Sequence, residues 1–439
     1  MMRNLLAVAI CAAIIPGIAF AEDTAPTPPV PAKLETEASN GGLTLDAAIQ
    51  RALNNSPRLK SSDATKLSSR GERTQAGLLP NPELGVEAED IGGNGPYKNF
   101  NSAQVTYGVT QLIEIGGKRD ARVTYAERGI DLADHDYLAA RLDLIRDVTQ
   151  AFTEAVAAGE EVRLAQEQQK LAEDVLQTVT RRVNAAREPL IQKSKANVAF
   201  ATSRIALERA EREYSSAKKA LANLMNESVA VNTLNTSAFY NLVAPATISD
   251  VREALSHNPD IARWKPAIAR GEAALDLEKA NAIPDPRVTA GFRQYKETDN
   301  SAFVVGLSIP IPILNQNQGN ISKARAEVTK ASHDQRVNEL ALGSELSKSL
   351  ETQRAAYTQA TMLKESILPE AEHAFSLSNK GYQAGKSAYL EVLDAQRTLT
   401  DVRLQYIEAL KEYHIQRGNV ERLTAKNLQI PAALEESHD

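Results

Sequence analysis

The chain has 439 residues, with 50 Lys and Arg against 56 Asp and Glu and a formal net charge of -6. That balance, with the basic residues scattered, speaks against a nucleic-acid partner. The single cysteine is Cys11, so everything beyond the N-terminus carries neither disulfides nor thiolate metal sites.

Residues 1–21 read as an export signal. Arg3 supplies the positive start, Leu5 to Ile15 the short apolar core, Pro16-Gly17 the break and Ala19-Phe20-Ala21 the cleavage site. A membrane-spanning helix needs about 20 apolar residues, which neither this stretch nor any other run provides. Cys11 is unsuited to lipid attachment because the bulky Ile10 precedes it inside the apolar core. Residues 22–42 form a Pro-rich, extended leader.

From there the chain repeats itself at an offset of about 200 residues. Ala52-Leu53-Asn54-Asn55-Ser56-Pro57 returns as Ala254-Leu255-Ser256-His257-Asn258-Pro259, and Leu79-Pro80-Asn81-Pro82 as Ile283-Pro284-Asp285-Pro286. Tyr214 and Tyr413 close the match, 199 residues apart. Repeat 1 spans 43–246: a helix opened by Thr44 and interrupted near Pro57, a β hairpin at about 83–115, and a long helical hairpin at about 118–226. Repeat 2 spans 247–427, with its β hairpin at about 287–313 and its long helical hairpin at about 319–427. Residues 428–439 are an acidic tail.

The strands alternate. Leu84, Val86 and Ala88 oppose Glu83, Gly85, Glu87 and Glu89, and Phe303, Val305, Leu307 and Ile309 oppose Val304, Gly306 and Ser308. Segments of about ten residues with one apolar and one polar face suit outer-membrane barrel strands, though an ordinary sheet with one wet face fits them too. The helices tip the balance. Leu138, Leu142, Ile145, Val148 and Phe152 recur at 3–4 spacing within a segment of nearly 70 residues, a coiled-coil-like rod on the order of 100 Å long. Ile321 to about Gln383 repeats it. Four strands cannot close a barrel, which needs about eight, whereas a trimer supplies twelve. The expected fold is mostly α with short β hairpins: a duplicated repeat forming a trimeric, 12-stranded outer-membrane β-barrel continued by a long periplasmic α-helical barrel.

The Leu79-to-Pro82 lead-in, the Tyr382-to-Ser387 turn and the run Leu390-Glu391-Val392-Leu393-Asp394-Ala395-Gln396-Arg397-Thr398-Leu399 resemble TolC-type outer-membrane efflux channels along almost the whole chain. Gln111 to Arg119, with its Gly116-Gly117 pair, resembles the heavy-metal (CzcC/CusC-like) branch. The resemblance implies a homotrimer in outer-membrane lipid, extending into the periplasm of a Gram-negative bacterium. It implies docking onto a periplasmic adaptor bound to an inner-membrane transporter of the resistance-nodulation-division type. Such a channel exports heavy-metal cations, is passive, and is opened by its partners. A drug or type I secretion duct and, from another class, a periplasmic coiled-coil scaffold are the alternatives. Without a lipid-acceptor cysteine the channel is expected to be held by its barrel alone.

Glu391 and Asp394 share one face after Ser387, read as the helix cap, and by resemblance ring the pore at its periplasmic end. Placement near a helix N-terminus explains acidic residues equally. Their repeat-1 counterparts are Gln192 and Lys195. Tyr382 resembles a gate residue, or else is a plain interface tyrosine. The tips, Ala186 and Arg187 in one repeat and Gly385, Lys386 and Ser387 in the other, are the expected adaptor contacts, with Arg182 beside Arg181 as a basic pair. Where relatives carry Gly-x-x-Ser, the first tip reads Ala186-Arg187-Glu188-Pro189. The histidines (135, 257, 333, 373, 414, 438) are dispersed and no methionine relay exists, so neither a metal site nor a cofactor is expected, and no enzymatic motif is present.

Overall fold

The structure is a computed structural model that describes residues 42–228 and 231–426. The export signal, nearly all of the Pro-rich leader and the acidic tail lie outside the described residues.

Each half begins with helices broken at a proline. Thr44 accepts a hydrogen bond from Ala47 N–H (3.3 Å) and caps α1 (Leu45–Asn55), and Pro57 occupies the first turn of α2 (Pro57–Ala76), where its missing N–H costs nothing. Gly77 closes α2, so the helix stops short of Pro80. The second half opens with α5 (Ile248–Leu255), α6 (Pro259–Ala262) and α7 (Trp264–Asn281), and Asn258, fully buried, caps α6 through Asp260 N–H (2.8 Å).

Four antiparallel strands follow one another in space as in sequence: β1 (Glu83–Glu89), β2 (Gln104–Leu112), β3 (Arg287–Tyr295) and β4 (Asn300–Ser308). The β2–β3 ladder joins the two repeats, with Gly108 opposite Gly291. The register stacks apolar residues into rows: Leu84, Val109, Ala290, Val305, and next to it Val86, Tyr107, Phe292, Phe303. That face is uncovered, and Phe303 is 89% exposed. The opposite face carries polar pairs, among them Arg293 with Glu89 (2.9 Å) and Thr110 with Thr289 (2.9 Å). A glycine row, Gly85, Gly108 and Gly291, crosses it. A Cβ on Gly291 would lie 2.8 Å from the Tyr107 carbonyl, so only glycine lets the backbones approach this closely. β1 and β4 remain open edges among the described residues.

The long helices hang from this sheet. α3 (Lys118–Asn184) runs unbroken for 67 residues and returns as α4 (Leu190–Leu224). The second rod is α8 (Gln318–Met362), a π-helical turn (Leu363–Ile367) and α9 (Leu368–Gln383), returning as α10 (Tyr389–Leu423). Reading 321–383 as a plain copy of the first rod misses that turn. Its cause is Pro369, whose ring would collide with the Glu365 carbonyl in a regular α-helix.

The core lies midway along the rods, where Leu144, Val148 and Val156 of α3 meet Ala48 of α1, Leu221 of α4 and Leu410 of α10. The connection between repeats is pinned there. Leu43 bridges to Leu234, Phe239 stacks on His414 (5.6 Å), and Tyr413 Oη bonds both backbone groups of Val243 (3.1 and 2.7 Å).

Candidate functional site

Two places carry the residues singled out by sequence: the joint between strands and rods, and the paired tips at the far end.

At the joint, Gly116 and Gly117 both adopt left-handed backbone (φ 74° and 73°), which turns the chain from β2 into α3. Gly116 also lies against Ile283, whose side chain occupies the space a Cβ would need. Asp285 is held between Lys118 Nζ (2.6 Å, side chains 8% and 15% exposed) and Ile115 N–H (3.0 Å). Glu114 pairs with Arg122, whose guanidinium also reaches the Leu78 carbonyl (3.3 Å). The Gln111–Arg119 motif thus supplies a strand-to-helix corner locked onto the lead-in of the second hairpin.

At the tips, both turns close the same way. Ala186 (φ 53°) and Gly385 (φ 75°) hold the left-handed position, and Arg187 N–H to Arg182 O (2.9 Å) matches Lys386 N–H to Gly381 O (2.8 Å). Pro189 and Ala388 are the N-cap residues of the returning helices, neither with a side-chain cap bond. This corrects the reading of Ser387 as the cap. Its side chain packs on Gly381 instead. Ala186, Arg187, Gly385 and Lys386 are all exposed, and the two basic residues stand at equivalent positions.

Tyr382 is only 3% exposed and pairs with Tyr389 (5.8 Å between rings) among Val179, Ala196 and Val392, a cluster that fuses the two hairpins of one chain. Burial pushes the Tyr389 hydroxyl up to about 12 and raises that of Tyr382, which Glu188 raises further while Arg182 opposes. Arg182 lies over the Tyr382 ring (4.4 Å) and donates to the carbonyls of Tyr382 (2.8 Å) and Gln383 (3.3 Å), with Glu188 at 3.6 Å. A cation from one hairpin therefore satisfies the open carbonyl end of the other. That strap was not read from sequence. The available signal was that Arg182 and Glu188 stand where the second tip has Gly381 and Ser387. Arg181 is exposed and reaches Thr178 (3.5 Å).

Glu391 and Asp394 are exposed on α10. Asp394 lines a groove of about 930 Å³ between α4 and α10 over Ala172 of α3, together with Asp401, Lys195 and Arg397. The structure therefore sets both acids near, but apart from, the buried Tyr382 cluster. Among the described residues no group of three or more His, Cys, Asp or Glu is arranged to hold a metal ion.

Two helical hairpins whose outgoing rods exceed 60 residues are thus carried by an open-edged sheet with one bare apolar face. The profile of the outer membrane efflux protein family matches residues 48–227 and 251–426, and the chain belongs to that family. It is therefore a transport duct and not an enzyme. It is 30% identical to the cobalt-zinc-cadmium resistance protein CzcC of Cupriavidus metallidurans, over 94% of this chain and 96% of that protein. It is 25% identical to the nickel-cobalt-cadmium resistance protein NccC of Alcaligenes xylosoxydans over 64% of each chain. A crystal structure of CusC superposes with a TM-score of 0.72 at 17% identity, covering 87% of this chain and 91% of that one.

Proposed function

We propose that three copies of the chain pair β4 of one with β1 of the next, closing a twelve-stranded barrel in the outer membrane, and that their helical hairpins continue it as a periplasmic tunnel. The supporting observation is the combination of two open sheet edges with an uncovered apolar face. Closure satisfies the edges, and lipid covers the face. The duct is the exit stage of a tripartite system with a periplasmic adaptor and an inner-membrane transporter of the resistance-nodulation-division type. It is passive and opened by those partners. Its cargo is heavy-metal cations, supported by the near full-length similarity to CzcC. The exposed tip residues Ala186, Arg187, Gly385 and Lys386 meet the adaptor, and Tyr382, with Glu391 and Asp394, belongs to the gate.

The test is growth of a strain lacking this gene on zinc, cobalt, cadmium, nickel, copper and silver, beside a panel of lipophilic drugs. Sensitivity confined to metals is expected. Sensitivity confined to drugs overturns the cargo while leaving the duct.

A further inference from the structure

β1 and β3 begin at equivalent residues, Glu83 and Arg287, each preceded by its copy of the lead-in at 79–82 and 283–286. Glu83 stands opposite Thr110 and Arg287 opposite Ser308, so Thr110 of β2 and Ser308 of β4 are equivalent too. The β2–β3 ladder is the junction of repeat 1 with repeat 2. The matching junction of repeat 2 with repeat 1 has its two sides, β4 and β1, on opposite edges of the sheet. Those edges are three strand spacings apart, about 14 Å, and cannot meet within one chain.

The equivalences fix which residues meet across two copies. Thr110 faces Thr289, whose equivalent in β1 is Gly85, so Ser308 falls opposite Gly85 of the next copy. Ile113 N–H donates to the Pro286 carbonyl (2.9 Å), and the same step puts the Ile311 N–H on the Pro82 carbonyl. Leu307 then meets Val86 and Ile309 meets Leu84 on the bare apolar face, where Ile311 is 79% and Leu84 81% exposed. Alternate residues of an antiparallel strand bond to opposite neighbours. Pro310 and Pro312, which have no N–H, therefore turn toward β3 and take no donor from the outer edge. A one-residue slip would turn one of the two apolar rows into the lumen.

The strand-to-rod joint changes character in the same transfer. Within the chain, Asp285 is locked to Lys118 and to the Ile115 N–H. The equivalent of Asp285 is Asn81, and that of Lys118, each the first residue of its rod, is Gln318. Both amides are exposed. An ion pair inside one chain is desolvated once, during folding. One across a seam leaves two solvated charges to be stripped at every assembly, and amides shed water at smaller cost.

We propose that the seam between copies repeats the junction between repeats, with Ser308 opposite Gly85, Ile311 donating to Pro82, and the Asp285–Lys118 ion pair replaced by the uncharged Asn81 and Gln318. This rests on the reading of the chain as a ring-closing duct, and it adds the register and the chemistry of the contact. Repetition of one rotational step is what closes a ring of heterologous contacts.

Cysteines in the full-length protein test it, since Cys11 is the single cysteine of the chain. Ser308→Cys is combined in turn with Glu83→Cys, Gly85→Cys and Glu87→Cys, and membrane fractions are oxidised and run denatured without reductant. The Gly85→Cys combination is expected to give covalent dimers and trimers about tenfold more efficiently than the other two, whose Cα atoms lie about 7 Å from that of residue 308. Stronger linkage at 83 or 87, or none in a chain that still runs as a trimer on native gels, overturns the register. A chain that is monomeric on native gels overturns the ring itself, together with the reading on which the seam rests. The joint is tested by Asn81→Asp and Gln318→Lys, alone and together. In heat dissociation of the trimer, the pair is expected to raise the midpoint at least about 2 °C beyond the sum of the single shifts, and additive shifts overturn the correspondence of the joint. Since no readout involves transport, metal sensitivity of the deletion strain stands or falls separately.

Discussion

Ser387 packs its side chain against the bare Cα of Gly381: a Cβ built on that glycine would sit 3.2 Å from Ser387 Cβ and closer still to its hydroxyl. In the first tip the same two positions hold Arg182 and Glu188, an ion pair at 3.6 Å. One tip is closed by steric contact and the other by charge. Glycine inside a helix ordinarily costs about 1 kcal/mol relative to alanine, so Gly381→Ala would stabilise an isolated helix. Here it is expected to destabilise by about 1 kcal/mol through the Ser387 clash. In a Ser387→Gly background the same substitution changes sign. Thermal melts of the four proteins in detergent, followed by circular dichroism, measure that reversal, and parallel shifts in both backgrounds would refute the contact.

Ala186 sits at φ 53°, where Gly385 serves the second tip at φ 75°. An L-residue in that region costs roughly 1–2 kcal/mol, partly recovered because alanine has fewer unfolded conformations than glycine. Ala186→Gly is therefore expected to raise the melting midpoint modestly, and Gly385→Ala to lower it. A fall in both would mean that the first turn draws on contacts of the Ala186 methyl group.

The strand-to-rod joint makes a larger prediction. Removing Asp285 leaves the buried Lys118 ammonium unpaired and the Ile115 N–H without its acceptor. Breaking a buried pair from one side costs about 3 kcal/mol. Asp285→Ala is expected to lose that amount by denaturant titration. Asp285→Asn, which keeps an acceptor for Ile115, should lose less. Losses under about 1 kcal/mol in both would show the pair to be as weak as solvated ones.

Two histidines are expected to make the fold less stable in acid. His414 is half-buried, stacks on Phe239 and donates from Nε2 to the Phe239 carbonyl (2.8 Å). Burial holds its pKa below the usual histidine range, and the carbonyl bond only partly offsets this. His135 is lowered in the same direction by burial, against the raising effect of Asp134, Asp131 and Asp136. With the folded pKa depressed, the unfolded chain takes up the proton first. The contribution is complete above about pH 6.5 and is lost as pH falls through the folded value. Melting midpoints at pH 7.5 and 5.5 should therefore diverge in the native chain and converge in part in His414→Gln. An unaltered gap would assign the acid sensitivity elsewhere.

Most of the secondary structure was legible for a local reason. Strand alternation at 83–89 and 300–308, proline breaks at 57 and 259, and 3–4 periodicity along α3 are all set by neighbours in sequence. The missed features depend on partners far away. The β2–β3 ladder pairs residues about 180 apart, which no local pattern specifies. Arg182 reads as half of an adaptor-facing basic pair until the second hairpin brings the Tyr382 carbonyl beside it. Pro369 was visible, but the duplication encouraged reading the second rod as a copy of the first, and the π-turn is the point at which the copies diverge. Ser387 followed the usual preference of helix caps, yet the helix starts one residue later than that preference suggests.

The acidic pair on α10 carries the last prediction. Glu391 and Asp394 are exposed and three residues apart, so on a helix they share a face, and Asp394 opens onto the groove that also holds Lys195 and Arg397. Because repeat 1 supplies Gln192 and Lys195 at the matching positions, the acids come from repeat 2 alone. In a trimer the six carboxylates would attract cations, while Lys195 and Arg397 would moderate the field. Glu391→Gln with Asp394→Asn is therefore expected to reduce cation-over-anion selectivity in planar-bilayer recordings, with the larger loss at low ionic strength, where screening is weakest. Lys195→Gln should shift selectivity the other way. If the acidic substitutions leave selectivity unchanged while Lys195→Gln alters it, the lysine controls the field and the acids merely suit a helix start.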